Sequence, residues 1–345
     1  MIFHKCFHHV TFVKLPKISL CVPTYNRGLF IADTIRSVLN QTESDFELII
    51  LNDASPDSTE EIVKQFKDER IRYYKNETNL GVPENYNRVF SLARGELVCL
   101  LEDHDLLDPK YLEKLLPLFD KYSNIVFAFT GIDLIDQQGK TTKRFLHPFQ
   151  DWVSGKEMLR RLLVRLTCPC SLTTVIRKSI LENYDPPFSS NYWWYADIPL
   201  WMTLCSKGDV GYIREPLLKM RERENEHFLN DKHWESQLCL DSIHKDHWNL
   251  LHKGFSPGYC FDRIVFECAK VWNVFRYRAN KLFYSRQKWS KEDKVGTRKF
   301  IHLLGRILVA SLAIFPFSWG ECLSAKYVAW WKGRHVADSY EVEEK

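Results

Sequence analysis

Three groups of polar residues follow directly on apolar runs, and each could do chemistry. They are Pro23-Thr24-Tyr25-Asn26-Arg27, Asn52-Asp53-Ala54-Ser55-Pro56-Asp57-Ser58-Thr59 and Glu102-Asp103-His104-Asp105. The third puts four consecutive metal-capable side chains after Leu97 to Leu101, which crowds like charge unless a cation is held there. Oxygen ligands of this kind suit Mg²⁺ or Mn²⁺, bound through one or two carboxylates and completed by substrate phosphates and water. A cation bridging two phosphates lowers their repulsion and stabilises a phosphate leaving group. The chain has no GxxxxGK[ST] sequence, so a P-loop does not supply the phosphate site. Single residues also have simpler roles: Asp57 or Ser58 would cap a following helix, and Pro23 would end a strand.

Such groups need a scaffold that brings loops together. From Ile18 to Thr130 short apolar runs alternate with helical patterns, as in βα units around a mostly parallel sheet. Strands are predicted at Ile18 to Val22, Phe46 to Leu51, Ile71 to Tyr74, Leu97 to Leu101 and Ile125 to Thr130. Between them Ile31, Ile35, Val38 and Leu39 recur at helical spacing, and Pro83 sits where the first turn of another helix begins. In open α/β sheets ligands bind where strands give way to loops at their carboxyl ends, and all three polar groups fall at such exits. After Gly131 the pattern predicts a hairpin around Gln138-Gly139, a helix from about Gly155 to Leu163, a strand ending near Ile176 and a helix from Asp197 to Cys205.

Composition sets the outer limits. The 345 residues are 45% hydrophobic and 27% charged, ordinary for a globular chain, which excludes wholesale disorder and a multi-span membrane protein. A net charge of +4 gives no case for nucleic acid as a partner. Ten scattered cysteines in a chain this large point to a reduced compartment, with Cys168-Pro169-Cys170 read as structural. Residues 1–15, with His4, Cys6, His8 and His9, read as a frayed extension rather than a metal site or a signal peptide.

VPTYNR from Val22, LNDASPDST from Leu51, NLG from Asn79, ARGELVCLLEDHDLLDP from Ala93 and WYADIPLW from Trp194 resemble, in order and spacing, the signatures of the family 2 glycosyltransferases. The resemblance covers roughly Lys17 to Arg223. It implies the GT-A fold: an α/β, Rossmann-like architecture with a mixed, mostly parallel sheet flanked by helices. It also implies a nucleotide-sugar donor, with UDP favoured, and a saccharide or lipid-linked acceptor in bacterial cell-surface polysaccharide synthesis. The domain would span 16–261, with a nucleotide-sugar half at about 16–130 and an acceptor half at about 131–261.

Carried over by position, the resemblance implies that Pro23, Thr24 and Tyr25 frame the nucleotide, that Asp53 contacts its base and that Asn79 belongs to the donor site. Arg27 would lie near the diphosphate. Asp103 and Asp105 form a DxD, and alignment through Leu107-Asp108-Pro109 puts the family's metal-binding aspartate on Asp105 first and Asp103 second. Glu102 stands where the motif's first aspartate is common, and His104 is expected to point away or touch substrate rather than ligate. Asp197 falls on the family's general base, although Ala196 replaces the acid that usually precedes it. Arg221 or Arg223 would contact the diphosphate; a solvated surface run fits Lys219 to Arg223 as well.

These roles imply one direct displacement that inverts the anomeric carbon, with a carboxylate taking the acceptor proton. Two alternatives stay open: a sugar nucleotidyltransferase, and a non-catalytic sugar-binding relative. The former would open with a Gly-rich loop and a basic residue, which VPTYNR does not provide in that form.

The 262–345 region is predicted to be a helical, basic and aromatic extension. Between Lys270 and His335 fourteen Lys and Arg face three acids, a net +11, which leaves −7 for the rest of the +4 chain. The uncharged stretch Ile307 to Trp319 has 13 residues. A spanning helix needs about 20, so it reads as an interfacial element or a core helix. The expectation is a cytoplasmic protein attached peripherally to the inner face of the membrane.

Overall fold

In the computed structural model the described residues are 15–163, 172–182, 187–188 and 197–222, with the single positions 243 and 250. In chain order they form β1 (Ile18–Thr24), α1 (Ile31–Leu39), β2 (Phe46–Asn52), α2 (Thr59–Val63), β3 (Ile71–Lys75), α3 (Val82–Ser91), β4 (Leu97–Leu100) and β5 (Leu106–Leu107). Then come α4 (Tyr111–Lys121), β6 (Ile125–Ile135), β7 (Thr141–Phe145), β8 (Trp152–Val153), α5 (Gly155–Leu163), β9 (Thr174–Arg177), α6 (Lys178–Leu181), α7 (Asp197–Cys205) and β10 (Asp209–Arg221).

The strands form one sheet in the order β3-β2-β1-β4-β9-β6-β10-β5, with β7 on β6 and β8 on β10. Its first four strands are parallel throughout, and β10 runs parallel to β6. Strands β9, β5, β7 and β8 pair antiparallel. All residues of β1 and β2 are buried, because helices cover both faces and each strand must be apolar on both sides. Leu20, Val22, Leu48 and Ile50 pack with Ile31 and Ile35 of α1 and Leu112 and Leu115 of α4. Cys21, Ile49 and Leu51 face the other way, into a cluster with Val89 of α3, Leu159 of α5 and Trp201 of α7. This alternation fixes the register that carries every loop of the site.

Helix α5 begins at a point of close backbone approach. A Cβ at Gly155 would lie 2.0 Å from the Gly208 carbonyl oxygen and 2.2 Å from that of Cys205, at the end of α7. Gly155→Ala is therefore expected to cost about 2–3 kcal/mol, read as a lower denaturation midpoint with unchanged slope.

Candidate active site

The three polar groups converge at the carboxyl ends of β1, β2 and β4. The β1 and β2 loops are stitched together: Asn26 N–H donates to Ser55 Oγ at 3.0 Å, Arg27 N–H to Thr59 Oγ1 at 3.0 Å and Gly28 N–H to Asp57 Oδ2 at 2.8 Å. Asp57 also accepts from the Thr59 N–H at 3.1 Å, so it is a helix-start acceptor and a loop clamp at once. Asn26 and Ala54 both sit at φ +57°, a left-handed conformation that the surrounding bonds must hold in place.

Asp53 is 2% exposed, and its carboxylate faces the loop before α3. Oδ1 accepts from Asn76 Nδ2 at 2.6 Å and from the Leu80 N–H at 2.9 Å, while Oδ2 accepts from the Gly81 N–H at 3.0 Å. Asn76 donates onward to Asn85 Oδ1 at 3.0 Å. Asp53 thus holds the NLG turn, in which Gly81 takes φ +85° and Asn79 Oδ1 accepts from the Gly81 N–H at 3.0 Å. Pro23 and Thr24 end β1, and Thr24 is buried, whereas Tyr25 is 45% exposed.

The acidic loop joins β4 to β5. Ligand atoms of Glu102, His104 and Asp105 lie within 4.8 Å of one another. Two carboxylates and an imidazole at that spacing suit Mn²⁺, and the carboxylates suit Mg²⁺. The donor set therefore fits the expected cation, but through His104 rather than through Asp103. His104 is turned inward, 4% exposed, with Nε2 at 3.8 Å from both Glu102 Oε2 and Asp105 Oδ1. Its pKa is raised: burial opposes the imidazolium, but the hydrogen bond with Asp103 and the charges of Asp105 and Glu102 together outweigh it. Asp103 faces the β1 loop instead, pairing with Arg27 Nε at 3.3 Å and accepting weakly from the Tyr25 N–H at 3.4 Å. The Asp105 carbonyl accepts from Thr34 Oγ1 of α1 at 2.9 Å.

Asp197 opens α7, and its Oδ2 accepts from Trp201 Nε1 at 3.2 Å. Burial pushes its pKa to about 6, and the negative charge of Glu102 adds to the rise. That electrostatic link runs from the acidic loop to the start of α7. Arg221, at the end of β10, lies under the acidic loop with its guanidinium on main-chain carbonyls. Arg223, Ala196 and the whole 262–345 region lie outside the described residues.

Sequence reasoning missed Asn76, Asn85 and the inward His104. The signal for Asn85 was available: it lies one turn before buried Val89 on the inner face of α3, where a polar side chain needs a partner.

A mixed sheet that is parallel over β3-β2-β1-β4, flanked by helices and carrying an acidic loop at the carboxyl edge of those strands, is the GT-A arrangement. The matching family is described as "Glycosyl transferase family 2", over residues 19–185. A glycosyltransferase of Methanocaldococcus jannaschii, MJ1057, is 34% identical over 265 residues, which are 74% of this chain and 88% of that protein. TuaG of Bacillus subtilis, assigned by its name to teichuronic acid biosynthesis, is 29% identical over 77% of this chain and 96% of its own length. A Rickettsia bellii glycosyltransferase is 30% identical over 64% of this chain, and the chain spans only about a third (31%) of that longer protein. The chain belongs to the family 2 glycosyltransferases. Among solved structures, S. aureus TarS residues 1–349 with UDP-GlcNAc superposes with a TM-score of 0.54 at 18% identity, covering 68% of this chain and 70% of that one. That likeness establishes the shared fold. Among the described residues no helix is long and apolar enough to cross a membrane.

Proposed function

We propose that the protein is an inverting glycosyltransferase that moves a sugar from a UDP-sugar to a hydroxyl of a saccharide or lipid-linked acceptor in surface polysaccharide synthesis. The carrying observation is that the acidic loop, the Tyr25 edge and the Asp53-held turn share one sheet edge, with Asp197 electrostatically coupled to that loop. The UDP-GlcNAc bound by TarS and the teichuronic acid assignment of TuaG support the donor and the pathway class.

Pro23, Thr24, Tyr25, Asp53 and Asn79 form the nucleotide side in this reading, Asp53 by shaping the turn that meets the base. Asp105 would hold a divalent cation together with Glu102 and His104, and Asp103 would orient Arg27 toward the diphosphate. The bound cation supplies charge neutralisation at the departing diphosphate. Of Arg221 and Arg223, both expected near the diphosphate, Arg221 has its guanidinium engaged on main-chain carbonyls. Asp197 removes the acceptor proton as the acceptor oxygen bonds to the anomeric carbon and the bond from that carbon to the phosphate oxygen breaks. One displacement inverts the centre, and no second catalytic carboxylate is needed. The basic, aromatic 262–345 region would hold the protein on the anionic inner leaflet, where salt extraction or its deletion should release it.

The test is a panel of nucleotide sugars with Mn²⁺ or Mg²⁺, scored for nucleoside diphosphate release. One donor is expected to turn over, and a chelator is expected to stop it. Release that ignores the chelator, or none from any sugar nucleotide with any saccharide acceptor, rejects the reading.

A further inference from the structure

The acidic loop has few ways to stay in place by itself. It follows β4, and its regular strand pairing is the two-residue β5, joined to Leu218 and Lys219 of β10. Its carboxylates repel, so a fixed arrangement needs donors from outside. Thr34, Arg27 and the Tyr25 N–H supply some of them, and Arg221 donates to the His104–Asp105 stretch from β10. Its main-chain N–H donates to Asp105 Oδ1 at 3.0 Å, and its Nε donates to the His104 carbonyl at 3.1 Å. Its Nη1 reaches the carbonyls of Gln137 at 2.7 Å and Asp136 at 3.2 Å, in the β6–β7 turn. Its guanidinium lies 5.0 Å from the centre of the Phe30 ring, and Nη2 is 3.9 Å from Asp33 Oδ2 at the start of α1.

The far support is rigid in its own right. The Gly139 N–H donates to the Asp136 carbonyl, and Asp136 Oδ1 accepts from the Gln138 and Lys140 N–H groups at 3.0 and 2.9 Å. One buried guanidinium, with its side chain 4% exposed, therefore ties the acidic loop to a braced turn of the acceptor half and to α1. The planar fork suits this task, since it presents several donors in fixed directions, which a lysine ammonium does not.

We propose that Arg221 is a positioning residue for the cation group: it sets the His104–Asp105 backbone, and so the geometry of Glu102, His104 and Asp105, without itself meeting the donor. The proposal rests on reading those three residues as the cation site. Such supporting contacts typically change metal affinity by about 10- to 100-fold.

The experiment compares the full chain with Arg221→Met and Arg221→Lys by hydrogen exchange and by Mn²⁺ titration followed by electron paramagnetic resonance. Asp105→Asn serves as the control for the cation reading. Arg221→Met is expected to speed exchange in the 101–107 segment by at least about tenfold while β1 and β2 keep wild-type protection. Mn²⁺ binding should weaken by about tenfold or more. Arg221→Lys, which keeps the charge and folds under milder strain, should fall between the two on both readouts. Wild-type exchange in 101–107 for both variants overturns the proposal. So does faster exchange spread evenly over β1 and β2, because a general loss of stability then explains it. If Asp105→Asn binds Mn²⁺ as tightly as the wild type, the cation reading fails by itself, and the exchange comparison still decides whether Arg221 orders the loop.

Discussion

Asp105→Asn is expected to lower nucleoside diphosphate release by about a thousandfold while leaving the fold intact. The carboxylate is 1% exposed, and its Oδ1 accepts the Arg221 N–H at 3.0 Å, a bond an amide oxygen can still accept. The exchange of one oxygen for an amide nitrogen keeps volume and removes the charge. What is lost is the anionic ligand at the centre of the Glu102, His104 and Asp105 group. Two measurements separate this from damage to the fold. The melting temperature without cation should stay within a few degrees of the wild type. The rise that Mn²⁺ gives the wild type should vanish; at a cation concentration of about 100 times Kd it corresponds to about 2.7 kcal/mol. A variant that retains both the rate and the Mn²⁺-dependent rise would remove Asp105 from the cation site.

The sequence announced the scaffold well because burial on both faces writes itself as continuous apolar runs. The five strands predicted between Ile18 and Thr130 all begin at the residue where they are observed. Strand β6 runs on past the predicted Thr130 to Ile135, where Ile132 and Leu134 alternate with Asp133, whose charge is met across the hairpin by Arg144 at 2.7 Å. Strand β10 was invisible for the opposite reason. Exposed Arg214 and Glu215 lead into Pro216 and interrupt its pattern where the pairing with β6 shifts register. At the site, the loop exits were legible because apolar runs stop there. Their partners were not, since Asp103 meets Arg27, and Asp105 meets Arg221, 116 positions further on. No local period reports such a pairing. His104 was expected to point away or touch substrate, and it is buried with ring nitrogens at 3.1–3.8 Å from the carboxylates of Glu102, Asp103 and Asp105.

Asp197→Asn should leave donor binding unchanged and reduce turnover by about 100- to 10,000-fold, the range for a lost general base. The raised pKa gives this residue two further signatures. In the wild type, activity should fall as pH drops through about 6, because the protonated carboxyl cannot accept the acceptor's proton. Trp201 tunes that limb: its Nε1–H stabilises the carboxylate, so Trp201→Phe should move the limb to higher pH. The second signature is in stability. The native pKa of about 6 lies above the ordinary aspartate value of 3.8, so the folded protein holds the proton more tightly than the unfolded chain does. Ionisation therefore costs the native state nothing below about pH 4, and the full penalty is present once pH has risen through 6. That rise in pKa corresponds to about 3 kcal/mol for a fully enclosed group. Asp197 keeps part of its surface in solvent, which brings the penalty to about 1–2 kcal/mol. Asp197→Asn escapes that penalty, so the inactive variant should melt higher than the wild type at pH 8 and converge with it near pH 4. Equal melting temperatures at pH 8, or an acid limb that Trp201→Phe does not move, would mean that the carboxyl is already an ordinary solvated acid and not a base poised by burial.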